Sequence, residues 1–383
     1  MGQSLSQTSQ SHDALFLDAA ANGRTLAVAW YLKGVLVDPN NSVDSTGATA
    51  LFLASANGHL AVLEQLIAEG CDVNKPNRKG SCPLHIACSN NQPEIVSRLL
   101  DAGAEQDRVD SVGHTPLFVC CSHGFVHCVE ILLAKGAASE CPDLDQTTPL
   151  MVACAQGHVS VVMKLLAYGA EPGAENNYGQ TPLIIAAENG FVDVIKILLT
   201  AGHAYVDQPN ANGWTALYAA CRDPKCKDAA ALLIEAGADV DRKTVGGWSP
   251  LYAASREGNA AVVSILLEAH ADVERSNPFG ETPLFVASRN NHCECVKILL
   301  AHGANKERIN MDHDTPLIAA AESGAKECVE LLIKAGSKLD KQNKDGCSAL
   351  FLACENGHIA VVRMLLLLSQ QQNSGASGSG GGG

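Results

Sequence analysis

Aromatic residues are scarce in this chain, 4% of 383 residues, and three of them are tryptophan. A core built on large rings is therefore excluded, and burial has to come from aliphatic and small side chains. Basic residues are outnumbered, 27 against 41 acidic, for a net charge of −14. That balance opposes docking to phosphate backbones or anionic lipid, so no nucleic-acid partner is expected. No apolar run approaches the roughly 18 residues of a membrane span. The nearest, "MLLLL" at 364–368, is far too short. A leader with a basic start and an apolar centre is missing as well, and a cytoplasmic chain with reduced thiols is expected. The fifteen cysteines are odd in number, and many fall inside apolar helical patterns, as Cys88, Cys121, Cys154, Cys221 and Cys354 do. A disulfide scaffold does not fit that placement.

Catalytic motifs are missing too. There is no phosphate-cradling glycine loop, no GxSxG and no HExxH, so no catalytic residue, cofactor or metal is expected. Cys293-x-Cys295 and Cys221-x4-Cys226 are suggestive thiol pairs, but a zinc site usually closes with two such pairs, and these read as helical core cysteines. Cys120-Cys121 with His123 and His127 could be drawn as nucleophile and base. The same stretch is fully accounted for as the end of one helix and the start of the next.

What the chain does have is repetition. Gly-x-Thr-Pro-Leu-x-x-Ala recurs with variations, as "GATALFLA" from 47, "GHTPLFVC" from 113, "GQTPLIIA" from 179, "GWTALYAA" from 213, "GWSPLYAA" from 247 and "GETPLFVA" from 280. The third residue falls at 49, 82, 115, 148, 181, 215, 249, 282, 315 and 348, in steps of 33 or 34. Each unit explains itself locally. Thr or Ser caps a helix, and Pro at the first helical position gives up no needed N–H. Leu, Ala and Ala then line one face. Asn-Gly ends that helix, and a second one follows, as in "FVDVIKILLTAG" from 191. The rest of each unit has turn residues and no helical period.

These residues and this spacing resemble the ankyrin repeat family over roughly 13–369. The resemblance implies an all-α solenoid of stacked antiparallel helix pairs joined by β-hairpin-like loops. It divides 13–369 into a cap unit 13–43 and ten further units over 44–369, while composition reads 1–12 as a flexible segment and 370–383 as a Gly/Ser-rich flexible tail. Two single-residue insertions break the period, at "GHAYVDQ" from 202 and "CRDPKCKD" from 221. The family usually carries His after Thr-Pro-Leu, and here only His85 does.

By the same resemblance, ligands are taken by the hairpin tips and the inward face of the first helices. The residue after the hairpin glycine position runs Ala48, Ser81, His114, Thr147, Gln180, Trp214, Trp248, Glu281, Asp314 and Cys347. So wide a spread means the fold demands nothing there, and two consecutive tryptophans read as contact residues. Five residues after each Leu, at the end of the first helix, the same units carry Arg222, Arg256 and Arg289, with Tyr218, Tyr252 and Phe285 one turn earlier. Tyr178 and Phe279 occupy neighbouring hairpins. Tryptophan, tyrosine and arginine are the residues enriched at binding hot spots. The competing expectation is that each arginine pairs with a neighbour such as Asp223 or Glu257.

The expected function is a non-enzymatic adaptor or scaffold that captures an extended, partly acidic and partly apolar segment of a protein partner on a concave surface. The alternative is a targeting or regulatory segment of a larger enzyme or channel. "MGQSLS" fits the N-myristoylation pattern with Gly2 as acceptor. One acyl chain gives only marginal, reversible membrane binding, so any tether would be transient. Incorporation of a labelled fatty acid is expected to disappear in Gly2→Ala, and equal labelling of both forms would remove Gly2 as an acceptor.

Overall fold

Threonine and proline start the helices in the way their chemistry suggests. Thr115 Oγ1 accepts from the Phe118 N–H at 3.1 Å, with Pro116 opening the helix Pro116–His123. Thr49, Thr148, Thr215, Ser249, Thr282, Thr315 and Ser348 cap their helices through the same bond. At Cys82 the bonding is different. His85 Nδ1 accepts from the Cys82 N–H at 3.2 Å, and its Nε2 donates to the His114 carbonyl of the next repeat at 2.9 Å.

The computed structural model describes residues 2–34 and 37–376, with side chains over 12–34 and 37–368. Among the described residues, twenty-two α-helices follow one another in eleven pairs, and one 3-10 turn, Pro224–Cys226, absorbs the second insertion. Among the described residues there is no strand. Two isolated antiparallel bridges, Val43 with Thr49 and Gln342 with Ser348, are the nearest approach to a hairpin ladder. The connecting loops are turns, and successive tips are tied by single backbone bonds such as Met311 N to Phe279 O at 2.8 Å.

The chain forms two compact units, Met1–Pro182 with Thr200–Ala204, and Leu183–Leu199 with Tyr205–Gly383. Within each, first helices stack on first helices and second helices on second helices. A first helix is thus packed on three sides. Pro283–Arg289 buries every residue but its last. The second helices keep a narrower stripe, Val262, Val263, Leu266 and Leu267 in Ala260–Glu268.

Polar side chains that reach across to the next repeat's backbone set the register. Asp241 accepts from the Asp272 N–H at 3.1 Å, Glu274 from Asn305 at 2.7 Å and Glu307 from Lys338 at 2.9 Å. Asn40, Asn74, Asp107 and Glu140 make the same bond in the first unit. On the other side of each repeat, His292 Nε2 donates to the Arg256 carbonyl at 2.9 Å and His358 Nε2 to that of Glu322 at 2.8 Å. These imidazoles occupy C-terminal helix carbonyls that have no partner inside their own helix.

Helix continues into both segments read as flexible from composition. The first helix is Gly2–Ala21 and the last is Ile359–Ala376. Neither "QSLSQTSQSH" nor "SQQQNS" contains a glycine or proline to stop propagation. Gly2 belongs to the stretch whose side chains fall outside the described residues, as do residues 377–383 altogether. Phe351 is 53% exposed, whereas its counterpart Phe285 is 3%, because among the described residues no further pair stacks on the last one. Cys354, read as part of an apolar face, is exposed for the same reason.

Gly258 holds φ 75°, and a Cβ there would lie 2.5 Å from His292 Nδ1. Gly237 has φ 87° with open space around it. Gly237→Ala is expected to cost about 1–2 kcal/mol for its left-handed backbone alone. Gly258→Ala should cost more, because it also displaces the imidazole from the Arg256 carbonyl. Urea midpoints of the two variants measure the difference, and equal losses would remove the imidazole contact from the account.

Candidate partner-binding face

The tryptophan position combines a pinned backbone with an unconstrained side chain. Asn210 Oδ1 accepts from the N–H groups of Asn212 and Trp214, both at 2.9 Å. Asn277 does the same for Phe279 and Glu281, and Asn310 for Asp312 and Asp314. Thr244 Oγ1 takes the Trp248 N–H at 3.2 Å. The main chain of each hairpin is thus closed by the residue four places earlier, and the side chain leaving it is free to vary.

In the second unit Trp214, Tyr218 and Arg222 form one cluster. The indole and phenol rings are 5.3 Å apart and tilted by 45°, and Arg222 Cζ lies 4.4 Å over the indole. Trp214 is half-buried, while Tyr218 is 4% exposed. Trp248, also half-buried, folds back over its own hairpin, where any Cβ on Gly246 would meet the indole at 3.3 Å.

The three arginines meet three different fates. Arg222 stacks on its tryptophan and has no carboxylate within ion-pair distance among the described residues. Arg256 pairs through Nε with Glu257 at 3.3 Å, an exposed contact. Arg289 binds Glu281, whose side chain is 12% exposed, and sits 5.6 Å over Phe285. Glu281 also accepts from the Tyr252 hydroxyl and from Asn277 Nδ2, each at 2.8 Å. Burial, and then this carboxylate, push the Tyr252 phenol well up.

The candidate contact residues therefore separate. Tyr218, Tyr252 and Phe285 are 3–4% exposed and sealed between stacked first helices, so they support the face and are not available to touch a partner. Trp214, Trp248, Arg222 and Arg256 reach the surface of the second unit. Phe279, on a hairpin tip, is 61% exposed. Tyr178, 62% exposed on its own tip, belongs to the first unit. The Glu281 network was not foreseen. Its signal is the pairing of an acidic residue after the hairpin glycine with an arginine eight residues on, where the two preceding repeats pair tryptophan with arginine.

A second feature was also not foreseen. A cavity of about 500 Å³ opens in the first unit, lined by Lys79, His85, Asp110, His114 and His123 among others. His114 stacks on Phe118 at 4.4 Å, and His123 Nδ1 donates to the Val119 carbonyl at 2.9 Å. Burial lowers the His85 pKa. Cys120 and Cys121 lie behind this wall, fully buried and held protonated by that burial, while His127 is on the next helix, 3.7 Å from Glu130. The described residues hold no cluster of metal-ligating side chains, and no helix among them is long and apolar enough to cross a membrane.

A family model described as ankyrin repeats, in three copies, matches residues 16–110, 103–176, 154–244, 242–310 and 305–375. The chain belongs to the ankyrin repeat family. Ankyrin arrays bind proteins, and a protein-binding role follows from membership. They are typically interaction modules without catalysis. A comparison with curated proteins returned no match.

In this ankyrin array Arg289→Ala leaves the mostly buried Glu281 without its cation, and a loss of about 1–3 kcal/mol is expected. Arg256→Ala removes only an exposed pair and should stay within about 1 kcal/mol. Chemical denaturation reads both, and equal losses would contradict the division between them.

Proposed function

We propose that this ankyrin array is a non-enzymatic adaptor that captures an extended segment or loop of a partner protein. The contact lies on the hairpin and first-helix face of the repeats beginning at Gly213, Gly247 and Gly280. Arg222 carries this reading. Its guanidinium is spread on an indole and, among the described residues, has no carboxylate within ion-pair distance, in a protein of net charge −14. A planar cation on an aromatic shelf offers a fork to an anionic group and a flat surface to an apolar one.

The partner chemistry follows from how the arginines are used. Arg256 and Arg289 already answer Glu257 and Glu281, so the segment needs one carboxylate, beside an apolar side chain that rests on Trp214 or Trp248. Lipidation of Gly2, if it occurs, would bring the adaptor transiently to a membrane surface from the cytoplasm. A second reading makes the array the regulatory part of a larger enzyme or channel. The apolar face left by Phe351, Ile359 and Leu367, all exposed, favours it.

Affinity capture with wild type, Arg222→Glu and Trp214→Ala/Trp248→Ala tests the face. A hot-spot loss of about 2 kcal/mol corresponds to roughly thirty-fold weaker binding of the genuine partner. Unchanged recovery of every bound protein in both variants would place the contact elsewhere.

A further inference from the structure

Cysteine occupies two columns of the second helices without catalytic or metal chemistry to explain it. The first position of these helices is Cys only in Cys293–Ala301, and the third position is Cys at Cys128, Cys295 and Cys328. Stacking sets the first position of one repeat against the third position of the next. Cys293 Sγ accordingly lies 3.7 Å from Cys328 Sγ. A disulfide needs about 2.05 Å, so closure takes a further approach of the two sulfurs.

The two thiols are unequal. Cys293 is half-exposed at the N-terminus of its nine-residue helix. Its Sγ donates to the carbonyl of Asn291 at 3.6 Å. The adjacent Glu294 is paired with Lys297 at 2.7 Å. Cys328 is buried. The trio Cys88, Cys120 and Cys128 in the first unit is buried throughout and has no comparable exposed member.

We propose that Cys293 and Cys328 are a hydroperoxide-responsive pair that closes to a disulfide between consecutive repeats. The Cys293 thiolate attacks one oxygen of the peroxide. An S–O bond forms, the O–O bond breaks, and the departing oxygen leaves as water or alcohol, giving a sulfenic acid. Cys328 then attacks that sulfur, so that the S–S bond forms and the S–O bond breaks. Its proton leaves with the hydroxyl as a second water. Two thiols are oxidised and one peroxide is reduced. Burial, and then the neighbouring Cys293, push the Cys328 thiol well up, which keeps it in reserve until the sulfenic acid stands against it. The closed bond links helices Cys293–Ala301 and Lys326–Lys334, and it prevents the array from parting at that interface.

The test treats the full chain with hydrogen peroxide and maps tryptic peptides without reduction. Residues 290–297 and 327–334 are separate tryptic peptides, so the link appears as one joined species. The joined species is expected in wild type and in Cys295→Ser, and is lost in Cys293→Ser. In Cys328→Ser the sulfenic acid should persist at Cys293 and be captured by dimedone. Three results would overturn the proposal: Cys293 over-oxidised in wild type with no joined peptide, a joined peptide that survives Cys293→Ser, or dimedone capture confined to other cysteines.

Discussion

No helix pair in this chain can bury its own apolar face, and every repeat depends on the one beside it. The apolar contacts supply the attraction, but they do not fix how far one repeat slides along the next. That is done by directed bonds from side chain to backbone. Glu274 holds the Asn305 amide on one side of the repeat, and His292 holds the Arg256 carbonyl on the other. Each answers a backbone group at an element's end, and the Arg256 carbonyl takes a second bond from Asn290 Nδ2 at 2.9 Å. Register and polar satisfaction are one requirement in this fold.

The proposed binding face is a by-product of the same arrangement. Stacking on three sides consumes nearly the whole first helix and leaves its last residue and the hairpin to meet solvent. The face is also partly occupied by itself. Glu281 draws Arg289, Tyr252 and Asn277 into one network, whereas Arg222 rests on Trp214 with no carboxylate within ion-pair distance among the described residues.

Much of this was legible in the residues. The helix starts at Thr115 or Ser249, the glycine stops and the 33-residue period are local signals, and they predict the elements found. The two rows of tryptophan and arginine were legible as well. The fate of Tyr218, Tyr252 and Phe285 was not, because burial there depends on neighbouring repeats. A helix read alone shows one apolar face, whereas Pro283–Arg289 hides almost all of its surface. The Tyr252–Glu281 bond spans 29 residues, and the thiol contact of Cys293 with Cys328 spans 35. Such contacts follow from stacking, which a single unit's pattern does not display. The acceptor column of Asp241, Glu274 and Glu307 was readable in principle, since it repeats every 33 residues.

The Asn210 and Asn277 bonds to the hairpin amides separate scaffolding from the proposed recognition at the level of single atoms. The amide of Trp214 is committed to the turn, while everything beyond its Cβ is not. Such a loop can exchange indole for carboxylate, imidazole or thiol without renegotiating its own shape, and Ser81, His114, Glu281 and Cys347 show it doing so. New specificities can therefore arise by single-codon changes at these sites, one repeat at a time, while the neighbouring repeats keep the old ones.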